Sequence, residues 1–373
     1  MRQLRLLVGS IVFLDTMFFA ALTPLLPHYA ERFDLSKAGA GLLAAAYPLG
    51  VLVGSIPSGF AAVRFGVKAT TAGALILMAV TTVAFGFADT ILLLDAARFA
   101  QGVASACAWT AGFAWLLAAA SGVRRGALIG STIGVAIVGA LFGPVLGAVA
   151  SATGTRAAFA AVGAAALALA GWTLATPAPA PSEGQSLGLL RSALREPRVL
   201  GGFWLVLLPA LLFGTLSVLA PLRLSELGLG AVAIGSVFLI AAAFEAVLAP
   251  VIGRASDRRG LRLLITTGLV ASAVAAAALP WPNRALVLAA IVVVAAMCFG
   301  IFWTPAMSLL THAAERIGLD YALAFALVNL AWAPGQALGS AGGGALARAT
   351  SDAVPYLLLC GACLLTLVAV RRH

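Results

Sequence analysis

Charge is scarce in this sequence. Of 373 residues only 10% are Asp, Glu, Lys or Arg, while 62% are hydrophobic. Mean hydropathy is +1.07. A soluble domain carries about 25% charged residues, so this chain has too little polar surface for a water-facing shell. Long polar stretches are missing too, which leaves no room for a soluble nucleotide-binding domain. No G-x-x-x-x-G-K-[ST] loop occurs, nor an H-E-x-x-H pair or a credible nucleophile triad. These absences argue against ATP-driven transport and against an enzyme. Cysteine is also sparse: Cys107, Cys298, Cys360 and Cys363 all lie in apolar stretches. The Cys360–Cys363 pair has CxxC spacing but neither a βαβ context nor partner ligands, so redox and metal chemistry are not indicated and no cofactor is expected.

What the chain does have is apolar runs, glycine and a positive balance. A membrane-crossing helix needs about 20 mostly apolar residues. Runs of that kind lie near 4–26, 38–60, 68–88, 91–119, 126–150 and 156–175, then near 199–222, 231–253, 261–280, 285–310, 320–346 and 352–370. The expected fold is therefore an all-α polytopic membrane protein with 12 transmembrane helices in two pseudo-symmetric six-helix bundles. The bundles span 1–175 and 199–373, joined by a cytoplasmic linker at 176–198 that contains PAPAPSEGQS. Pro, Ser and Gly favour an extended linker there, and the residues after it suit a short amphipathic surface helix. Arg2 and Arg5 before an apolar run imitate a signal peptide. The run is too long for that and lacks a cleavage site, so it reads as the first membrane helix.

The net charge of +10 suggests nucleic acid only in a soluble protein. Here the basic residues fall in short gaps between apolar runs, and no aromatic-plus-basic surface accompanies them. With the N-terminus inside, sixteen basic residues are cytoplasmic: Arg2, Arg5, Arg64, Lys68, Arg124, Arg125, Arg191, Arg195, Arg198, Arg254, Arg258, Arg259, Arg262, Arg316, Arg371 and Arg372. Six are outside: Arg32, Lys37, Arg156, Arg223, Arg284 and Arg348. That imbalance places both termini in the cytoplasm by the positive-inside rule, with a plasma (inner) membrane as the expected location.

The halves repeat each other. Gly59 to Lys68 (GFAAVRFGVK) and Gly253 to Arg262 (GRASDRRGLR) each hold two glycines seven apart and a basic residue two after the second, at an offset of 194. Gly139, Gly143 and Gly147 are echoed by Gly335, Gly339 and Gly343. Duplicated halves are a mark of secondary transporters, with a substrate site expected near the midplane between them.

At these motifs the chain resembles the major facilitator superfamily over essentially its whole length. The loop motif G-x-x-x-D-R-x-G-x-R/K is present twice, with Val63 where the first copy has Asp in the pattern. Arg98-Phe-Ala-Gln101-Gly102 matches the fourth-span arginine motif. Gly139-Ala-Leu-Phe-Gly143-Pro144-Val-Leu-Gly147 matches the fifth-span antiporter motif. Asp15, followed nine residues later by Pro24-Leu-Leu-Pro27, is most like the drug:proton antiporter and vesicular amine branch. The resemblance implies gating roles for Gly59, Gly66, Lys68, Gly139, Gly143, Pro144, Gly147, Asp257, Arg258 and Arg262. It also links Arg98 to proton coupling through the first span.

Three intramembrane charges stand out. Asp15 lies about eleven residues into the first run, near mid-membrane at about 1.5 Å per residue. An ionised carboxylate there costs a few kcal/mol or more, so it must pair, face water or take a proton. It is a candidate for proton coupling or for binding a cationic substrate; the plainer reading is a structural hydrogen bond. Glu245, where the first half has Val51, is a second proton site or substrate ligand, or the partner of a nearby hydroxyl. Arg98 needs acceptors, which Asp15 or first-span carbonyls can supply. Tyr47, Trp109, Phe113, Trp303, Met307, Asn329, Trp332 and Gln336 are candidate substrate-lining residues, since aromatics suit hydrophobic cations and buried amides want partners. The glycine-rich fifth-span stripe serves close packing in any case.

The reading favours proton-coupled antiport, exporting small amphipathic or cationic organic compounds by alternating access. The partners expected are a small-molecule substrate, protons and membrane lipids, with the protein a monomer and no nucleic acid involved. The rival readings are export of a neutral metabolite or lipid, and a transporter-like receptor or scaffold without flux.

Overall fold

The computed structural model describes residues 2–119, 125–178, 192–319 and 321–372. Within the helices it leaves undescribed the side chains of 117, 125–130, 133, 249, 250, 253–259, 304, 308, 311, 315, 321–326 and 372. Among the described residues all regular structure is helical. The main elements are α1 (Arg2–Arg32), α2 (Lys37–Gly86), α3 (Ile91–Ala118), α4 (Arg125–Thr153) and α5 (Thr155–Ala175). There follow α6 (Pro197–Glu226), α7 (Ala231–Arg259), α8 (Leu261–Ala278), α9 (Ala285–Ile301), α10 (Trp303–Arg316), α11 (Tyr321–Ala337), a π-turn (Leu338–Gly342), α12 (Gly343–Ala349) and α13 (Ala353–Arg372). Residues 179–191, where most of the expected linker falls, lie outside the described residues.

Ten described stretches are long and apolar enough to cross a membrane. One of them, α2, is 50 residues long and bends at Gly66, so it serves as two crossings. The α11–π–α12 segment is another crossing, broken into 17, 5 and 7 residues. Ten, plus one for the second arm of α2, plus one for this broken segment, gives the expected twelve. The outer surface is apolar: Leu286 is 83%, Leu92 77% and Leu365 74% exposed. Lipid is the only solvent that accepts such a surface. The chain is an integral membrane protein.

The chain divides into two compact units. One comprises Met1–Leu22 with Ala46–Leu187, the other Thr23–Ala45 with Gly188–His373. Both are built on the same glycine-based contacts. In the first, a methyl group at Gly139 would run into Phe13 and Thr16 of α1, and one at Gly143 into Met17 and Ala20. In the second, a methyl group at Gly335 would meet Leu207 and Ala210 of α6, and one at Gly339 would meet Leu211. A small-residue stripe lets the two backbones touch where lipid offers no hydrophobic drive to pack.

The repeated loop motif is also a repeated conformation. Gly66 has φ 82° and ψ 156°; Gly260 has φ 83° and ψ 152°. That region of backbone space is essentially open to glycine alone. Gly59, the other glycine of the first copy, is helical, and a methyl group there would meet nothing within 4 Å. Gly66→Ala and Gly260→Ala should therefore each destabilise the purified protein by about 1–3 kcal/mol, seen as a lower thermal midpoint. Gly59→Ala should leave that midpoint unchanged or raise it.

Candidate functional site

The α1 helix is pinned to α4 along one face, which turns Asp15 toward α2 and α3. Those two helices cross at a glycine contact of their own: a methyl group at Gly50 would strike the Phe99 carbonyl, and one at Gly102 the Tyr47 carbonyl. The close crossing brings Tyr47 of α2 level with Ser105 and Trp109 of α3. All three donate to Asp15, which is 3% exposed. The Tyr47 hydroxyl reaches Oδ1 at 2.7 Å, the Ser105 hydroxyl reaches Oδ2 at 2.8 Å, and the Trp109 indole N–H reaches Oδ2 at 2.7 Å. Trp109 in turn stacks on Phe113 at 5.5 Å between ring centroids. Ser105 was not among the expected residues; its place four before Trp109 and seven after Arg98, on one face of α3, was the available signal.

Arg98 is fully buried and sits in an aromatic box. Its guanidinium lies 5.0 Å from the Tyr47 ring, 5.4 Å from Phe18, 5.7 Å from Phe85 and 5.9 Å from Phe19. Nη2 donates to the Phe19 carbonyl at 3.2 Å. A first-span carbonyl was one of the two kinds of acceptor expected for it. Desolvated cation–π contacts are worth about 2 kcal/mol or more, so four rings offset much of the cost of burial. Phe18, Phe85 and Phe159 hold the box by edge-to-face contacts of 5.0–5.8 Å between centroids. Tyr47 is thus shared, its hydroxyl on the acid and its ring over the base.

The second unit holds the other expected residues. Glu245 is half-buried on α7, with Cγ 3.7 Å from where a methyl group on Gly300 of α9 would stand. This places it next to the break between α9 and α10 at Phe302. No hydrogen-bond partner for its carboxylate occurs among the described residues. Trp303 and Met307 on α10, and Asn329 and Trp332 on α11, are half-buried, whereas Gln336 is buried. Among the gating residues, Pro144 and Gly147 are buried in α4, Lys68 is half-buried, and Arg262 donates to the Arg371 carbonyl at 2.9 Å. The side chains of Asp257 and Arg258 lie outside the described residues.

One cluster had no sequence signal. Lys37, at the start of α2, meets both oxygens of Asp352 at 2.7 and 2.8 Å and Glu226 at 3.4 Å. It belongs with them to the second unit. Below it, methyl groups at Gly41 and Gly344 would run into Ser340 and Lys37 backbone atoms, so the start of α2 lies directly on the π-turn. Among the described residues no three His, Cys, Asp or Glu side chains gather as metal ligands.

Known proteins place the chain. The sequence matches the Major Facilitator Superfamily profile at residues 8–333 and again at 213–372. It is similar to the MFS-type transporter ppzB of Metarhizium rileyi, 32% identical over 106 residues, which is 27% of this chain and 22% of that protein. It is likewise similar to ppzB of Metarhizium majus, 33% identical over 87 residues, 23% of this chain and 17% of that protein. The chain thus spans about a fifth of the length of these curated relatives. Among solved structures it superimposes on the nucleoside transporter NupG with a TM-score of 0.75 at 16% identity, over 99% of this chain and 98% of that one. A bacterial homologue of the human lysosomal transporter Spinster, inward-facing and unoccupied, gives 0.74 at 16% identity over 98% and 94%. At that identity the likeness speaks for the fold alone. The chain belongs to the Major Facilitator Superfamily, a family of membrane transporters.

Proposed function

We propose that the protein is a proton-coupled antiporter that exports small amphipathic or cationic organic compounds by alternating access, with Asp15 as the proton carrier. The observation that carries this reading is the hydrogen-bond set of Asp15, which can be complete with and without a proton. The Trp109 N–H can only donate, so it always holds Oδ2. The two hydroxyls can turn. When Asp15 is ionised, Tyr47 and Ser105 both donate to it. When a proton sits on Oδ1, that O–H donates to the Tyr47 oxygen. Tyr47 then turns its own O–H away from the acid, while Ser105 and Trp109 keep donating to Oδ2. Both oxygens of the acid are engaged in either state, which matters because a stranded buried group costs about 1–3 kcal/mol.

The same geometry supports different tasks for the two acids. Asp15 is enclosed and occupied by three protein donors, which suits a proton better than a bulky cation. Glu245 is half-buried beside a helix break, and broken helices are where transporters of this kind bind ligand. Glu245 is therefore the group offered to a cationic substrate, with Trp303, Met307 and Trp332 of α10 and α11 as candidate apolar lining. The protein works as a monomer in a lipid bilayer with both termini in the cytoplasm.

The test is transport in proteoliposomes of ethidium and of a neutral aromatic analogue, with and without a pH gradient. The carboxamide of Asp15→Asn imitates the protonated acid. This variant should lose gradient-driven uptake and keep ethidium exchange between the two sides. Glu245→Gln should weaken ethidium exchange and spare any transport of the neutral analogue. Gradient-driven uptake that survives Asp15→Asn would sink the carrier role. Uptake of the neutral analogue in preference to ethidium would favour export of a neutral metabolite.

Alternating access also needs contacts that open. The Lys37 cluster is a fitting clasp: one cation ties the start of α2, which lies on the π-turn, to Asp352 and Glu226, and π-turns mark functional irregularities in helices. Lys37→Met should raise the rate at which Ser340→Cys reacts with a membrane-impermeant maleimide. An unchanged rate would mean that Lys37 does not hold the segment.

A further inference from the structure

We infer that a file of buried water runs along α3 from Asp95 past Gln101 to Asp15, and that Asp95 and Gln101 are its positioning residues. The inference rests on Asp15 being the proton carrier and says how the proton reaches it.

Asp95, Arg98, Gln101, Ser105 and Trp109 are spaced three, three, four and four residues apart. At 3.6 residues per turn they fall within about a third of the helix circumference. Ser105 and Trp109 serve Asp15, and Arg98 fills its aromatic box. The remaining two polar side chains have no such use. Gln101 is 0% exposed, yet neither its amide oxygen nor its amide nitrogen meets a protein partner. Asp95 is half-buried, and its Oδ1 is buried without one. On α2, the hydroxyl of the fully buried Thr82 is in the same position. It lies one turn before Phe85, whose ring faces Arg98 at 5.7 Å.

Three unmatched polar side chains around one buried arginine are not a packing accident. Buried polar groups in native proteins find partners, and where protein supplies none, ordered water does, making about three hydrogen bonds per molecule. The distances suit a short file. Asp95 and Gln101 are separated by about 9 Å of helix rise, and Asp95 and Ser105 by about 15 Å. Two to five waters at about 2.8 Å spacing cover that length.

Charge shapes the file as well. Arg98 raises a barrier to hydronium midway, so protons rest only at the two carboxylates. Among the described residues, the other charged side chains at the Asp95 end of this unit are Asp89 and Arg156, which are exposed and face each other at 3.6 Å. Asp95 differs from both in having a buried carboxylate oxygen. The charge asymmetry of the sequence puts that end outside, so the file would admit protons from the external face.

The experiment needs only protons as the probe. Purified protein in detergent is taken through a rapid pH jump, and protonation of Asp15 is followed by its carboxyl infrared band, identified by its loss in Asp15→Asn. Gln101→Leu and Asp95→Asn should slow the appearance of the band by roughly ten-fold or more, in line with removal of a proton-relay group. Its final amplitude should not change. Asp95→Glu should restore the rate. A rate unchanged in both variants overturns the water file, and so does a slow rate in Asp95→Glu. Asp95 is near the helix end, so its variants fold even if Gln101→Leu does not. If Asp15→Asn removes no titrating band at all, the carrier reading fails first, which is a different result from an unchanged rate.

Discussion

A carboxylate buried in a helix bundle sets the terms for the first unit. Asp15 can be buried only if donors stand on both of its oxygens, and those donors come from two other helices. Tyr47 arrives on α2, Ser105 and Trp109 on α3, and the three meet because Gly50 and Gly102 let those helices touch backbone to backbone. On the other side of α1, Gly139 and Gly143 hold α4 close and fix the rotation of Asp15. Any larger residue at these glycines would move the donors by ångströms, and a hydrogen bond does not survive that. The glycine stripes and the acid are therefore one device.

Arg98 is bound into the same device through the rings around it. The aromatic box keeps the positive charge near the acid, and Tyr47 connects the two groups by ring and hydroxyl. The second unit repeats the scaffold, with Gly335 and Gly339 packed against α6 and Gly260 in the same backbone conformation as Gly66. It does not repeat the chemistry. Its acid is Glu245, on a different helix of the repeat and beside a broken one.

Much of this was legible in the sequence because membranes impose simple rules. Apolar runs marked the crossings, since nothing else can satisfy the backbone in lipid. Asp15, Arg98 and Glu245 were conspicuous because charge in such runs is rare, and the two loop motifs announced themselves by spacing. The α2 kink at Gly66 also follows from its motif. What stayed hidden depends on contacts between distant residues. Nothing in a lone serine says that Ser105 faces Asp15, and Lys37 and Asp352 lie 315 positions apart. Gln101 was readable only as part of a motif, because an unmatched amide is visible only once its neighbours are known. The π-turn at Leu338–Gly342 left no mark beyond a glycine-rich stretch.

The central claim is that one proton can come and go at Asp15 while the Tyr47 hydroxyl reverses from donor to acceptor. Equilibrium infrared titration of the wild-type protein beside Tyr47→Phe measures this most directly. The account predicts an Asp15 carboxyl band and a tyrosine C–O band that change together at one pH midpoint. In Tyr47→Phe the tyrosine change should vanish and the carboxyl band should move to the frequency of a more weakly hydrogen-bonded acid. A carboxyl band that titrates with no tyrosine change in the wild type, or that is unmoved by Tyr47→Phe, would contradict it.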